Sequence, residues 1–405
     1  MPALPGKRRS MRIALDGIPL SEPLTGVGHY TFELALALAR ICPLDSIELV
    51  SPRPFTSGVE SLNETSLPPN LSFNYIAANV FERRWFVHGL PSHIRRTGIE
   101  LFHGTNYEVA FRRICPSVLT VHDLSLILLP HTHLSKRVRR AKLRLPLMVR
   151  AATMIITPTE AIRHEVCHHL GVAPEKVVAV PEAPRKVFRP SDRLGDEVTL
   201  RNPGINASYF LAVGTLEPRK NLRALVLAYR ELIGSSPHRP WLVIAGKEGW
   251  MLDDLRTEID RAGPDEHIHL TGYVSDEELR SLYSSCLGFV FPSLYEGFGL
   301  PPLEAMACGA PVIANRIPSL REVLGDAASF VDAENINELK SAMLSLIENP
   351  ERRALLSEAS RNRAADFSWE RTASMTRRVY ESAVRKKGEG GKGEGEGSAL
   401  AREFY

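Results

Sequence analysis

Two glutamates, Glu296 and Glu304, flank the string Gly297-Phe298-Gly299-Leu300-Pro301-Pro302-Leu303 in the last third of the chain. An apolar run from Leu287 to Ser293 precedes them, and a short helical stretch follows and stops at Gly309. The pattern reads as a strand, a glycine-rich loop and a helix N-terminus. Glycines let backbone N–H groups come close to a ligand, and a helix N-terminus favours negative charge. Glu296 falls in the loop and Glu304 in the first turns of the helix, so both can face one cleft. Each carboxylate can accept two hydrogen bonds from vicinal hydroxyls. A ligand in which phosphate joins two polyols suits such a site. The spacing of the glutamates alone fits a plain tight turn equally well; the full string EGFGLPPLEAMACGAPVIA is far more specific.

A second cluster lies in YFLAVGTLEPRKNLRALVLAYREL, residues 209–232. An apolar strand ends in Gly214-Thr215, and Glu217-Pro218-Arg219-Lys220-Asn221 lead into a helix with Leu222, Leu225, Val226 and Tyr229 on one side. Arg219 and Lys220 therefore stand at the mouth between strand and helix, where cations can neutralise a diphosphate. A solvated charge pair at a helix start is the structural alternative.

These loops need a scaffold. Apolar strands near 208–215, 241–246, 267–272, 288–293 and 310–315 alternate with helical stretches, and Ser275 with Glu278 forms a capping box. The alternation predicts a parallel sheet and a Rossmann-like domain over 191–365. The first half, 11–190, has the same character. A strand (MRIALDG), a loop from Ile18 to Gly28 ending in Thr25-Gly26-Val27-Gly28, and a helix (HYTFELALALARI) open it. LFHGTN (101–106) and SVLTVHDLSLI (117–127) follow, each ending in a polar turn with a histidine, His103 and His122. Such turns at strand C-termini are where open α/β sheets place ligands. Proline and charge make 181–207 an interdomain linker. The segment 366–387 reads as an amphipathic helix capped by Ser368, and the glycine- and charge-rich 388–405 as disordered, as does the basic 1–10.

At 405 residues with a net charge of +3, the chain has the size of two domains and an ordinary globular composition. Charge is uneven: residues 1–190 hold 24 Lys/Arg against 15 Asp/Glu, and the remainder 26 against 32. The first half is thus suited to an anionic partner. The densest basic stretch, 135–150, carries Lys136, Arg137, Arg139, Arg140, Lys142, Arg144 and Arg150 among leucines, and Pro146 is expected to break or kink it. It suits an anionic membrane surface or a plain solvated helix face. Nucleic acid is not expected, because aromatic residues for stacking are missing. Five scattered cysteines without a CxxC pair point to a reducing, cytoplasmic setting. His164 and His168 share a helix face beside Cys167 and His169, too few ligands to argue for a metal. Neither a secretory signal nor a membrane-spanning run is visible. The strand–helix turns hold no GxGxxG, which removes nicotinamide dehydrogenases. No Asp-x-Asp occurs, so no metal is expected on a diphosphate.

The two motifs resemble those of glycosyltransferase family 4, retaining enzymes of the GT-B fold, and the resemblance runs from about Met11 to Lys387. It implies an α/β protein of two Rossmann-like domains with parallel sheets facing an interdomain cleft. The N-terminal domain would take the acceptor, the C-terminal domain would hold a nucleotide-sugar, and helix 366–387 would cross back to the N-terminal domain. On that likeness Glu304 binds ribose hydroxyls, and Lys220 and Arg219 neutralise the diphosphate, with backbone N–H groups of Phe298, Gly299 and Leu300. Glu296 grips the donor sugar and His122 its far side. Gly28 belongs to a loop closing over the donor phosphate. Thr215 stands where many relatives carry arginine, and the segment around Val274 meets the base. GTLEPRKN with AGKEGW (245–250) looks most like bacterial mannosyltransferases of polysaccharide assembly. The expectation is therefore transfer of mannose from GDP-mannose, with no further cofactor, to a glycan or lipid-linked acceptor, on the inner face of the membrane. A catalytically silent nucleotide-sugar-binding subunit, or a GT-B enzyme such as a sugar-nucleotide epimerase, is the alternative.

Overall fold

Leu101–Gly104, Ser117–Thr120 and Met154–Thr157 are four-residue strands in which every residue is buried. Burial on both faces is what a parallel sheet covered by helices demands, and it explains their largely apolar character. The computed structural model describes residues 9–22, 24, 26–56, 67–77, 84–190, 208–262 and 267–389. The basic residues 1–8, Thr25, positions 191–207 of the linker segment and the tail from 390 lie outside these residues.

The described chain divides into two units, the first comprising residues 1–124, 140–182 and 369–405 and the second 125–139 and 183–368. The sequence-based boundary at 190 therefore moves to Glu182/Ala183, and Ser125–Arg139 leaves the first domain for the second. The physical reason is Trp250. Its Nε1–H donates to the Thr132 carbonyl at 2.9 Å, and the Arg137 guanidinium lies 5.1 Å over its ring.

The first unit holds a seven-stranded parallel sheet in the order β3-β2-β1-β4-β5-β6-β7. Its strands are β1 (Arg12–Asp16), β2 (Ser46–Ser51), β3 (Leu71–Tyr75), β4 (Leu101–Gly104), β5 (Ser117–Thr120), β6 (Met154–Thr157) and β7 (Val177–Ala179). Helices α1 (Gly26–Ile41), α2 (Leu90–Thr97), α3 (Ser135–Ala151, of which 140–151 belong to this unit) and α4 (Glu160–Leu170) run between them. Helix α3 is continuous from Ser135 to Ala151 with Pro146 inside it, so the chain does not break there. The proline ring is exposed, so the Lys142 carbonyl that loses its N–H partner has access to water.

The second unit holds a six-stranded parallel sheet, β10-β9-β8-β11-β12-β13. The strands are β8 (Tyr209–Val213), β9 (Trp241–Ala245), β10 (Ile268–Gly272), β11 (Gly288–Phe291), β12 (Val312–Asn315) and β13 (Ala328–Val331). Alternating side chains feed two cores. Tyr209, Leu211, Phe289 and Phe291 enter one, and Phe210, Ala212, Val290 and Ile313 the other, as the period of a strand requires. Helices α5 (Leu222–Ser235), α6 (Asp253–Ala262), α7 (Asp276–Ser285), α8 (Leu300–Ala307), α9 (Pro318–Leu324), α10 (Ile336–Glu348) and α11 (Pro350–Ala364) complete it. The capping box of Ser275 and Glu278 starts α7.

The last helix, α12 (Trp369–Glu389), returns to the first unit and packs on α1, β5 and β6. There the Tyr380 hydroxyl meets His103 Nδ1 at 2.7 Å, and Arg377 Nε reaches Asp45 at 2.7 Å. His103 is fully buried and Thr120 Oγ1 occupies its other nitrogen at 2.8 Å. Burial pushes its pKa down to about 3, so it is a neutral structural histidine.

Both sheets reverse their winding between two neighbouring strands, β1 and β4 in the first and β8 and β11 in the second. In doubly wound sheets the crevice beyond such a switch point is where ligands bind.

Candidate active site

At the switch point of the second unit, the chain after β8 and the chain after β11 come together. The first passes Gly214 and Thr215 into a single 3-10 turn, Pro218–Lys220, before α5 begins. The second runs from Ser293 to Gly299 and into α8. Leu294 N–H donates to the Arg219 carbonyl at 2.9 Å, and Arg219 Nη1 donates to the Tyr295 carbonyl at 2.7 Å. These bonds stitch the two loops into one platform.

On this platform Glu296 lies between both cations. Lys220 Nζ is 2.5 Å from its Oε1, and Arg219 Nη1 is 3.0 Å from its Oε2. Arg219 also reaches Glu217 at 2.6 Å. All four side chains are nearly enclosed, so their charges act through a poorly screened medium. Burial opposes ionisation of Glu296, but Arg219 and Lys220 outweigh it and hold its pKa down at about 2. Burial also draws the Lys220 ammonium below its ordinary range, against the pull of Glu296. Two cations and two carboxylates cancel, so the cluster has no net charge until a ligand changes the count.

Thr215 is partly exposed beside this cluster. Gly299 starts α8 at φ +98, and a Cβ there would meet Leu320 at 2.6 Å, so only glycine fits the turn. The Phe298 ring is buried in one core, which leaves only its backbone facing the loop; Leu300 opens the helix. Glu304, on the first turns of α8, is buried, and its Oε1 accepts from Arg185 Nε at 3.1 Å. Arg185 Nη1 also donates to Asp276 at 2.6 Å, and its guanidinium lies 4.6 Å over Phe188. Val274 packs partly buried just before the cap of α7. Arg185 escaped the sequence reading because PEAPRKVF looks like linker, with no motif around it.

His122 and Gly28 belong to the first unit. His122 follows β5, its Nε2 2.8 Å from the Thr105 carbonyl and its Nδ1 3.3 Å from Glu182. Burial opposes protonation, yet Glu182 and the Thr105 carbonyl raise its pKa above the usual histidine value. Tyr30 packs edge-on at 4.9 Å and fixes the ring. Both nitrogens are thus occupied within the unit. Gly28 is buried in the first turn of α1, and a Cβ would lie 3.1 Å from the Pro19 carbonyl, which gives the glycine a packing reason of its own.

Residues 24–183 match the family described as Glycosyltransferase Family 4, and residues 202–363 match Glycosyl transferases group 1. The O-antigen chain mannosyltransferase B of Escherichia coli is 30% identical over 379 residues, covering 91% of this chain and 99% of that protein. Among solved structures, sucrose-phosphate synthase from Thermosynechococcus elongatus superposes with a TM-score of 0.73 at 20% identity, over 93% of this chain and 100% of that one. Anabaena HepE in complex with UDP-glucose gives 0.69 at 18% identity, over 92% and 100%. The structural likenesses share the two-sheet α/β fold, and the sequence match spans nearly the full length of both proteins. On that match the chain belongs to glycosyltransferase family 4.

Proposed function

We propose that the protein transfers mannose from GDP-mannose, with retention, to a glycan or lipid-linked acceptor in polysaccharide assembly. The observation that carries this reading is the Lys220–Glu296–Arg219 cluster at a sheet switch point. The likeness over nearly full length to an O-antigen chain mannosyltransferase supports the choice of sugar.

Cleaving a sugar–phosphate bond builds negative charge on the departing diphosphate. Preorganised cations and N–H dipoles at that position can each lower the barrier by several kcal/mol. Lys220 and Arg219 supply the cations, and the backbone of Phe298, Gly299 and Leu300 at the start of α8 supplies the dipoles. Because the resting cluster is neutral, an incoming diphosphate competes with Glu296 for Lys220 and Arg219. Glu296 is thereby freed to accept hydrogen bonds from the donor sugar, while Glu304, oriented by Arg185, accepts from the ribose. His122, its ring held by Glu182 and the Thr105 carbonyl, which both favour its protonated form, would face the donor sugar. No metal is needed in this scheme.

The same proposal places the enzyme at an anionic membrane surface. Helix α3 exposes Leu143 and Leu147 by 67% and 51% among arginines and lysines, a pairing that suits headgroups and acyl chains together. Among the described residues no helix is long and apolar enough to cross a membrane.

The test is a thermal-shift panel with GDP, UDP and ADP on wild type and Lys220→Ala. A nucleotide at about 100 times its dissociation constant adds roughly 2.7 kcal/mol. Stabilisation by GDP above UDP, weakened in Lys220→Ala, is expected. A preference for UDP would overturn the donor assignment, and no response to any nucleotide would overturn the donor site.

A further inference from the structure

The first unit has its own switch-point cavity, of about 950 Å³, beyond the ends of β1 and β4. Its size suits a small organic ligand. Its lining is unusual for a site that receives a neutral glycan. Sugar hydroxyls are ordinarily met by carboxylates and amides, which accept and donate together. Here four arginines, Arg53, Arg84, Arg140 and Arg144, share the wall with only two carboxylates, Asp16 and Glu108.

The wall's charges are not equally committed. Glu108 is taken twice, by Arg140 and Arg144 at 3.1 Å each. Among the described residues the Arg53 guanidinium pairs only with the exposed Glu22, at 3.3 Å. Arg84 is exposed at the entry to the Trp85–Gly89 turn, and its guanidinium has no ion pair among the described residues. Two covered donors in the wall, Arg144 Nε and Trp85 Nε1, have no partner among the described residues. The surplus is cationic, and guanidinium forks bind phosphate or carboxylate through two parallel hydrogen bonds.

The other side of the wall is apolar and flat. Trp85, Phe86, Phe111 and Tyr75 line it, with Phe111 already under the Arg144 guanidinium at 5.6 Å. Aromatic faces suit the C–H face of a pyranose. Asp16, at the end of β1, is buried and spends one oxygen on the Ile18 N–H at 3.1 Å. That amide is the carboxylate's only hydrogen-bond partner among the described residues, so the second oxygen is available to a sugar hydroxyl. Burial, with Glu108 adding to it and the Ile18 N–H opposing it, pushes its pKa up to about 7.

Resting on the glycosyltransferase reading, we infer that this cavity receives the acceptor as an anionic saccharide. Its phosphate or carboxylate lies on Arg84 and Arg53, its ring on the aromatic wall, and one hydroxyl on Asp16. Arg140 and Arg144 serve as the backing that keeps Glu108 away from the anion.

The test measures binding of mannose 1-phosphate, glucuronic acid, methyl α-mannoside and inorganic phosphate to the full chain, by calorimetry. Each titration is run with and without the nucleotide that stabilises the protein. At least one anionic sugar is expected to bind tenfold or more tighter than methyl α-mannoside, and which one separates phosphate from carboxylate. Arg84→Gln should erase that preference, while Asp16→Asn should weaken neutral and anionic sugars alike. Equal binding of the neutral sugar, an unchanged preference in Arg84→Gln, no sugar binding at all, or inorganic phosphate binding as tightly as the sugar would each overturn the inference. Nucleotide stabilisation measured on the same samples separates the failures: if it persists, only the acceptor chemistry is wrong, and if wild type lacks it, the donor reading fails instead.

Discussion

Glu296 shows how a single carboxylate can tie stability to a binding site. Its pKa is lowered in the fold, so the stability it supplies is complete above its ordinary value of 4.5 and is lost as pH falls towards 2. Glu296→Gln should flatten that acid limb of the stability curve and cost about 3–5 kcal/mol at pH 7, because Lys220 is left buried beside Arg219. Chemical denaturation at pH 3 and pH 7 checks this, and turnover should fall at least about 100-fold with nucleotide binding retained. Asp16 has the opposite sign. Its raised pKa means that stability declines as pH rises from 3.8 towards 7. Asp16→Asn should therefore raise the melting temperature at pH 8 and change it little at pH 4. The amide can still accept from Ile18. Glu296, Arg219 and Lys220 were legible because each lies a few residues beyond an apolar strand in a string with few other polar groups. Arg185 was not, since a lone arginine between prolines carries no pattern. Asp16 read only as part of a strand, because its cavity is assembled from segments about 30 to 130 residues away.

Among the elements, α8 depends on its first turn. Gly299→Ala would place a methyl against Leu320 at a φ that only glycine adopts easily, and should cost about 1–3 kcal/mol in urea unfolding. It should also weaken nucleotide binding, by displacing the N–H groups of the helix start. Helix α3 offers the reverse change. Pro146→Ala restores the bond to Lys142 in an exposed helical position and should add up to about 3 kcal/mol of helix stability, checked by thermal melting. Propensity alone set the expectation of a break there; flanking packing through Leu145, Met148 and Val149 carries the helix across it. The strands of the second unit were legible from β8 to β12, where apolar runs end in glycine or polar turns. Strand β13 (ASFV) escaped, being short, half covered and at the sheet edge.

For the whole molecule the decisive element is α12. It brings Arg377 to Asp45, and both are nearly fully buried. Removing one partner of such a pair typically costs about 3–5 kcal/mol, so Arg377→Ala should unfold the first unit at a markedly lower denaturant concentration. Nucleotide stabilisation of the second unit should survive, which a melt followed with and without nucleotide would show. The amphipathic pattern of 366–387 made the helix itself legible. The excursion of Ser125–Arg139 into the second unit was not, because its anchor, Trp250, lies more than a hundred residues away and ordinary spacing rules do not reach that far. Domains generally fold as they leave the ribosome, earliest sequence first. This chain cannot follow that order. The sheet begun by its first strand lacks part of its cover, and Asp45 and His103 each lack one of their partners, until α12 has been synthesised. The part made first is the part finished last, and a chain truncated before residue 369 should leave the first unit without the helix that completes it.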